Sequence, residues 1–250
     1  MDPEISLYDD RLADFCLDCL KLKAGNRILD AGCGAGDVAF RLASRFMKVT
    51  GIDISSELIN HCKEVSKRHL DGSENVRFLV EDMRKPMDLD PFSGIICLGV
   101  TFGYFEESVN EACFKNLAKL LKKGGRLIIE SDDPYSLEEG WVYEEFKMDL
   151  PLPSVSTQAM LKLKRRFVKR TSSYEGFFHL QFEDGRKLVL SEALTDACDE
   201  HIRIYSMEEL SEIALKSGLV LETVYGDSLL PAKNYVPGSS RRLVTQFIRP

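Results

Sequence analysis

The sequence predicts an α/β fold: a doubly wound, mostly parallel seven-stranded sheet carrying an inserted antiparallel β subdomain. Three observations carry this prediction. Apolar strands and amphipathic helices alternate from about residue 9 to about residue 131, as parallel strands joined by crossover helices require. A glycine-rich turn closes the first strand, in ILDAGCGAG at 28–36. Between 160 and 192 the apolar period shifts to two, the spacing of antiparallel strands.

The elements follow in order. Leu12, Phe15, Cys16, Cys19 and Leu20 share one helical stripe over about 9–21. The first strand is 27–31, the second VTGIDI ending at Asp53, and the third VRFLVEDM ending at Asp82. Ser55 or Ser56 is placed to cap the helix after Asp53. After a fourth strand, a helix beginning near Glu107 is expected to stop at Gly124-Gly125, with RLIIE as the fifth strand. Pro134, Pro151 and Pro153 are expected to break up residues 132–155. LKLKRRFV, GFFHLQF and KLVL then read as a hairpin or small sheet within 160–192, turning at Glu183-Asp184-Gly185. Ser206 and Glu209 form an S-x-x-E capping box, and LVLETVYG and LVTQFI supply the last two strands. Residues 1–131 and 206–250 thus form a core. Residues 132–205 are an insertion expected to cover the cofactor pocket and shape the substrate site.

The chain has 250 residues, 44% of them hydrophobic, and a formal net charge of −7. That size supports a full core, and that charge argues against nucleic acid as a partner. The N-terminal MDPEISLYDDR is acidic, unlike a leader peptide, and no apolar run reaches membrane-spanning length. A soluble cytoplasmic protein is expected. Of seven cysteines, Cys16 and Cys19 form a C-x-x-C without a second such pair. Their helical phase reads as core packing rather than a metal or redox site, and no metal centre is expected. The basic run Lys162, Lys164, Arg165, Arg166, Lys169, Arg170 alternates with leucines at its start, as on a solvated strand face. An anionic-substrate or RNA site is the alternative.

The chemistry lies in the glycine turn. Gly32, Gly34 and Gly36 allow a ligand to touch backbone. A dinucleotide turn needs G-x-G-x-x-G/A, with pyrophosphate at the helix start. Here the third glycine position is Asp37, and Asp30 precedes the loop. Each acid would repel a pyrophosphate by on the order of a kcal/mol. A cationic ligand reverses that sign, and S-adenosylmethionine carries a sulfonium and an ammonium. Asp53 lies 17 residues beyond Gly36, near the ~20-residue spacing at which an acid meets a ribose diol.

With ILDAGCGAG (28–36), GIDIS (51–55), VEDM (80–83), GIICLGVTFGYFEE (94–107) and LKKGGRLIIE (121–130), the chain resembles the class I S-adenosylmethionine-dependent methyltransferases, which share a Rossmann-like fold. TFGYF, IRIYSMEEL (202–210), YGD (225–227) and SSRR (239–242) make it similar to the small-molecule members, including aminosugar N,N-dimethyltransferases. The resemblance implies S-adenosylmethionine as cofactor and S-adenosylhomocysteine as product. Asp30 would orient the methionyl ammonium, Asp53 hold the ribose, and Asp82 accept from the adenine amino group. Met83 and Ile54 would flank the adenine, and Leu98 and Gly99 line the methionyl chain. Tyr8 would close over the cofactor carboxylate.

On the acceptor side, Phe102, Tyr104 and Phe105 follow the fourth strand and form a candidate aromatic wall, the alternative being packing under a loop. Tyr174, Arg203 and Tyr205 enter the substrate pocket by resemblance alone. His179 and His201 are candidate bases and Tyr104 a further catalytic candidate, a structural role being the alternative for a histidine on a strand, and none is singled out. The expected activity is methyl transfer to nitrogen or oxygen of a small molecule, with a homodimer as the candidate assembly. An RNA or protein methyltransferase and a non-catalytic cofactor-binding subunit remain the alternatives.

Overall fold

The computed structural model describes residues 10–69, 75–152, 155–182, 187–189 and 200–250. In chain order the elements are α1 (Asp10–Leu20), β1 (Arg27–Ala31), α2 (Asp37–Ser44), β2 (Lys48–Asp53), α3 (Ser56–His69), β3 (Val76–Val80), β4 (Phe92–Cys97), α4 (Glu107–Lys119) and β5 (Leu121–Asp132). Then come β6 (Gly140–Leu152), β7 (Val155–Val168), β8 (Ser173–Phe182), β9 (Lys187–Val189), β10 (Glu200–Arg203), α5 (Met207–Lys216), β11 (Val220–Tyr225) and β12 (Arg242–Ile248). They divide into two compact units, one drawn from 1–102, 106–136 and 205–250, the other from 103–105 and 137–204.

The first unit is built on a seven-stranded sheet in the order β11-β12-β5-β4-β1-β2-β3. β1 to β5 run parallel, and β12 is antiparallel to both β5 and β11. The doubly wound, mostly parallel expectation holds. From β1 the chain steps outward through β2 to β3, then returns to place β4 on the other side of β1. That reversal opens a crevice beyond the carboxyl ends of β1 and β4. Strands at the sheet centre must be apolar on both faces; Ile28, Leu29, Ile95, Ile96, Leu127, Ile128 and Ile129 are fully buried. α1 buries its expected stripe, and Phe15 meets Tyr225 edge-on at 5.3 Å. Cys16, Cys19, Cys62, Cys97 and Cys113 are free and buried. Burial pushes the Cys16 and Cys97 thiols up, which leaves them chemically inert.

Two caps form as expected. Ser55 Oγ accepts from Leu58 N at 3.3 Å. Ser206 and Glu209 close a reciprocal box on α5, at 3.3 and 2.8 Å. Ser206→Ala is expected to cost about 1 kcal/mol, read as a lower urea midpoint with an unchanged slope.

Three boundaries differ from the sequence expectation. α4 stops at Lys119, and Gly124-Gly125 lie inside β5, where pairing with β4 jumps from Phe92↔Leu121 to Gly94↔Arg126. A Cβ on Gly125 would lie 2.9 Å from the Lys122 carbonyl oxygen, so these glycines fold a tight excursion within a strand. β3 ends at Val80, leaving Asp82 in the following loop. The third difference is β6, a thirteen-residue strand where prolines were expected to break the chain. β6 is an edge strand, and Pro151 sits near its end opposite Ser156. A missing N–H is tolerated on an edge.

The second unit is an antiparallel sheet ordered β10-β8-β7-β6, with β9 also paired to β8. Of its basic run, Lys162, Lys164 and Arg166 share one partly exposed face of β7, Arg165 lies on the other face over Tyr174, and Lys169 and Arg170 fall in the turn beyond the strand. Lys164 Nζ lies 4.6 Å from the centre of the Trp141 ring and 5.3 Å from that of Tyr143. Lys162 pairs with Glu145 at 3.1 Å and Arg166 with Glu175 at 2.9 Å. Among the described residues no helix is long and apolar enough to cross a membrane.

Candidate functional site

The turn after β1 is pinned to the end of β2. Gly32 N and Cys33 N both donate to the Ile52 carbonyl at 2.9 Å. Gly32, Gly34 and Gly36 all have left-handed φ, at +75°, +54° and +86°. Two of them meet different surroundings. A Cβ on Gly32 would lie 2.2 Å from Thr101 Cγ2, so the turn after β1 packs against the turn after β4. A Cβ on Gly34 would meet nothing within 4 Å. One glycine is therefore needed for packing within the protein, and the other borders open space.

Three acids, Asp30, Asp37 and Asp53, cluster at that turn. Asp30, near the end of β1, is only 4% exposed. Burial, with Asp53 and Asp37 adding like charge, pushes its carboxyl up to about 7. No hydrogen bond from the described residues pulls it back. Burial likewise raises Asp37, though Arg41 and His61 oppose the shift. Asp53, the last residue of β2, accepts from Gly34 N at 3.0 Å through Oδ2 and from Ser55 N at 2.9 Å through Oδ1. It therefore ties the glycine turn to the start of α3. Beside it Ile54 is 59% exposed, unusual for an isoleucine. Asp82 lies in the loop after β3, held by Arg84. The half-buried Met83 is fixed through its carbonyl by Asn116 Nδ2 at 3.1 Å. This set of acceptors suits a ligand with a cationic group and hydroxyls, and opposes a pyrophosphate.

The turn after β4 forms the other wall. Gly99 and Val100 are both left-handed, at φ +67° and +62°, and Thr101 Oγ1 donates to the Leu98 carbonyl at 2.6 Å. Gly99 N donates to Glu130 Oε2 at 2.8 Å, and Ser228 Oγ donates to Glu130 Oε1 at 2.6 Å. Glu130 is 6% exposed. The sequence reading gave it no role, although an acid closing LIIE at the carboxyl edge of a central strand was the available signal. Asp133, fully buried, was missed as well. It accepts from the Tyr235 hydroxyl and from Gly238 N, both at 2.7 Å, and so holds the segment between β11 and β12.

The acceptor-side residues are more scattered. Phe102 is 3% exposed and packs on Phe114 and Tyr205, with ring centres 5.9 and 5.3 Å away. It is a core residue rather than part of an open aromatic wall. Tyr205 is also buried, its hydroxyl engaged with Asn110 Nδ2 at 3.0 Å and Glu107 Oε2 at 3.2 Å. Both belong to the first unit, whereas Tyr104, Phe105, Tyr174, Arg203 and His201 belong to the second. There Tyr104 is 49% exposed, and Tyr174 is buried under Arg165 and edge-on to Phe167. Arg203 Nη1 donates to the Ser172 carbonyl at 3.1 Å and to the Ile204 carbonyl. His201 is exposed on β10. The backbone of His179 pairs with Lys162 and Val189; its side chain lies outside the described residues, as does Tyr8.

Residues 28–125 match the family model described as a methyltransferase domain. Phosphoethanolamine N-methyltransferase 1 of Triticum aestivum is 32% identical over 131 residues, covering 52% of this chain and 25% of that protein. The chain spans less than half the length of the curated relatives it matches. Among solved structures, the CcbJ methyltransferase of Streptomyces caelestis superposes with a TM-score of 0.76 at 20% identity, covering 100% of this chain and 99% of that one. CalS10 of Micromonospora echinaspora, an amino pentose methyltransferase solved with S-adenosylmethionine bound, gives 0.64 at 16% identity, covering 99% and 94%. At these identities the likeness is one of fold.

Proposed function

We propose that this chain, through its methyltransferase domain, binds S-adenosylmethionine and transfers the methyl group to a small molecule. The single observation that carries the reading is the buried acid Asp30 by a glycine turn that is open at Gly34, where Asp53 accepts from the Gly34 N–H. When bound, the cofactor supplies a methyl group made electrophilic by its sulfonium. The chain's own residues bind and orient. Gly34 gives way to the methionyl segment, and Asp30 faces its ammonium. Asp53 keeps lone pairs for the ribose hydroxyls while its backbone donors fix its orientation. Ile54 and Met83 enclose the base, and Leu98 and Gly99 line the methionyl side. Alignment and exclusion of water supply most of the rate for such a displacement. A base among Tyr104, His179 and His201 is needed only for an acceptor protonated at working pH.

We assign acceptor selection to the second unit, with Tyr104, Phe105, Tyr174 and Arg203. The aminosugar and other small-molecule enzymes of this fold support a small acceptor. The net charge of −7 and the ion pairs of Lys162 and Arg166 weigh against RNA. Buried free thiols support a reducing, cytoplasmic setting, and the long edge of β6 supports a homodimer.

The test is calorimetry with S-adenosylhomocysteine, with NAD as control. Binding of the first alone is expected; the reverse result would end the proposal. Asp53→Ala should weaken S-adenosylhomocysteine by about 1.5–3 kcal/mol, the scale of charge-assisted hydrogen bonds. Unchanged affinity would place the ribose elsewhere.

A further inference from the structure

Asp82 already has a partner of this chain's own. Its Oδ1 accepts from the Arg84 backbone N–H at 3.0 Å and from Arg84 Nε at 2.8 Å. Its Oδ2 accepts from Arg84 Nη2 at 2.9 Å and lies 3.1 Å from Nε. Lys85 Nζ stands 3.9 Å from the same oxygen. A carboxylate has about four in-plane lone-pair sites. Both on Oδ1 are taken, and Oδ2 accepts from Nη2 and shares the Nε–H with Oδ1, with an ammonium close by. The Asp82 side chain is 14% exposed and that of Arg84 41% exposed. The acid is thus fixed in the loop after β3 while its partner reaches into solvent. The Arg84 side-chain hydrogen bonds hold the Asp82 carboxyl below the usual carboxylate range, against the opposing effect of burial.

We propose that Arg84 is a positioning residue that withholds Asp82 from the purine amino group, so that this chain discriminates poorly at that corner of the base until Arg84 turns away. The inference rests on the cofactor reading above. An adenine amino group must either displace a forked guanidinium or accept the crowded remainder of Oδ2. Either way the hydrogen bond gained is offset by one weakened, and the amino group adds little net affinity. The latch tunes affinity and base selectivity without touching the reacting atoms.

The probes are S-adenosylhomocysteine and its purine analogue, which lacks the amino group. Calorimetry compares both ligands on the wild-type chain, Arg84→Ala and Arg84→Lys. Wild type should prefer the amino form by less than about threefold. Arg84→Ala should bind the amino form about fivefold tighter, the scale of an exposed forked ion pair, and leave the purine form unchanged. Arg84→Lys, which cannot fork, should fall between them. A general change in local charge or in fold would move both ligands together. An equal shift in both, or weaker binding of the amino form by Arg84→Ala at an unchanged melting temperature, overturns the latch alone. If wild type binds neither ligand, the cofactor reading fails and the latch with it.

Discussion

Asp30→Asn should make the free protein more stable at pH 8 while weakening its hold on S-adenosylmethionine. The Asp30 carboxyl lies at about 7 in the folded chain against 3.8 for an unburied aspartate. Between those values the folded state binds more protons than the unfolded state. Stability from this group is therefore full below pH 4, falls as pH rises toward 7, and is flat above. A displacement of that size is worth on the order of 4 kcal/mol. Asparagine keeps the shape and removes the buried charge. The two proteins should unfold at similar urea concentrations at pH 4 and diverge by pH 8, with the variant more stable. Binding runs the other way. A ligand ammonium favours the ionised carboxyl, so wild-type affinity should rise up to about tenfold per pH unit below 7 and level off above. Asp30→Asn should lose that slope and most of the affinity. Equal stabilities at pH 8, or a pH slope surviving in the variant, would mean that Asp30 does not titrate in the site.

Gly34→Val should abolish cofactor binding and leave the sheet standing. Gly34 has φ +54° and no atom within 4 Å of where a Cβ would be. In the free protein the cost is the left-handed backbone alone, roughly 1–2 kcal/mol, or a few degrees in melting temperature for a chain of this size. The open space is where the methionyl segment is proposed to lie, and a branched side chain would fill it. A loss of at least about a hundredfold is expected, since the contact is lost and the ligand displaced as well. Gly32→Val offers a contrast. It strikes Thr101 at once and should unfold the crevice rather than merely block it. Normal S-adenosylhomocysteine titration of Gly34→Val would remove the glycine turn from the site.

What was legible in the sequence was local. The glycine turn, Asp30 and Asp53 at the ends of β1 and β2, and the capping box at Ser206 each depend on residues within one turn or strand, and each appears where expected. The alternation of strand and helix gave the order of the core because buried parallel strands read as continuous apolar runs. What was hidden depends on neighbours remote in sequence. β6 shows its partner only in pairing, since its exposed Trp141 and Tyr143 belong with Lys164 and Arg166 on β7. Gly124-Gly125 resemble a helix stop until β4 is seen alongside. Glu130 and Asp133 find donors about a hundred residues away, at Ser228 and Tyr235. Phe102 reads as a pocket aromatic in a string of aromatics, and only packing against Phe114 and Tyr205 turns it inward. The Arg84 fork on Asp82 needed the shape of a loop that spacing does not specify.

The position of β12 has a consequence for biosynthesis. It lies between β5 and β11, with antiparallel hydrogen bonds on both sides. A nascent chain emerging from the ribosome can assemble β1 to β5 early, yet β11 has no strand to pair with along its length until residues 242–248 clear the exit tunnel. Until then the backbone edge of β5 and the whole of β11 stand unpaired at once. A stop codon just upstream of Arg242 should therefore yield a product that chaperones retain and proteases clear, even though every residue lining the glycine turn has been made.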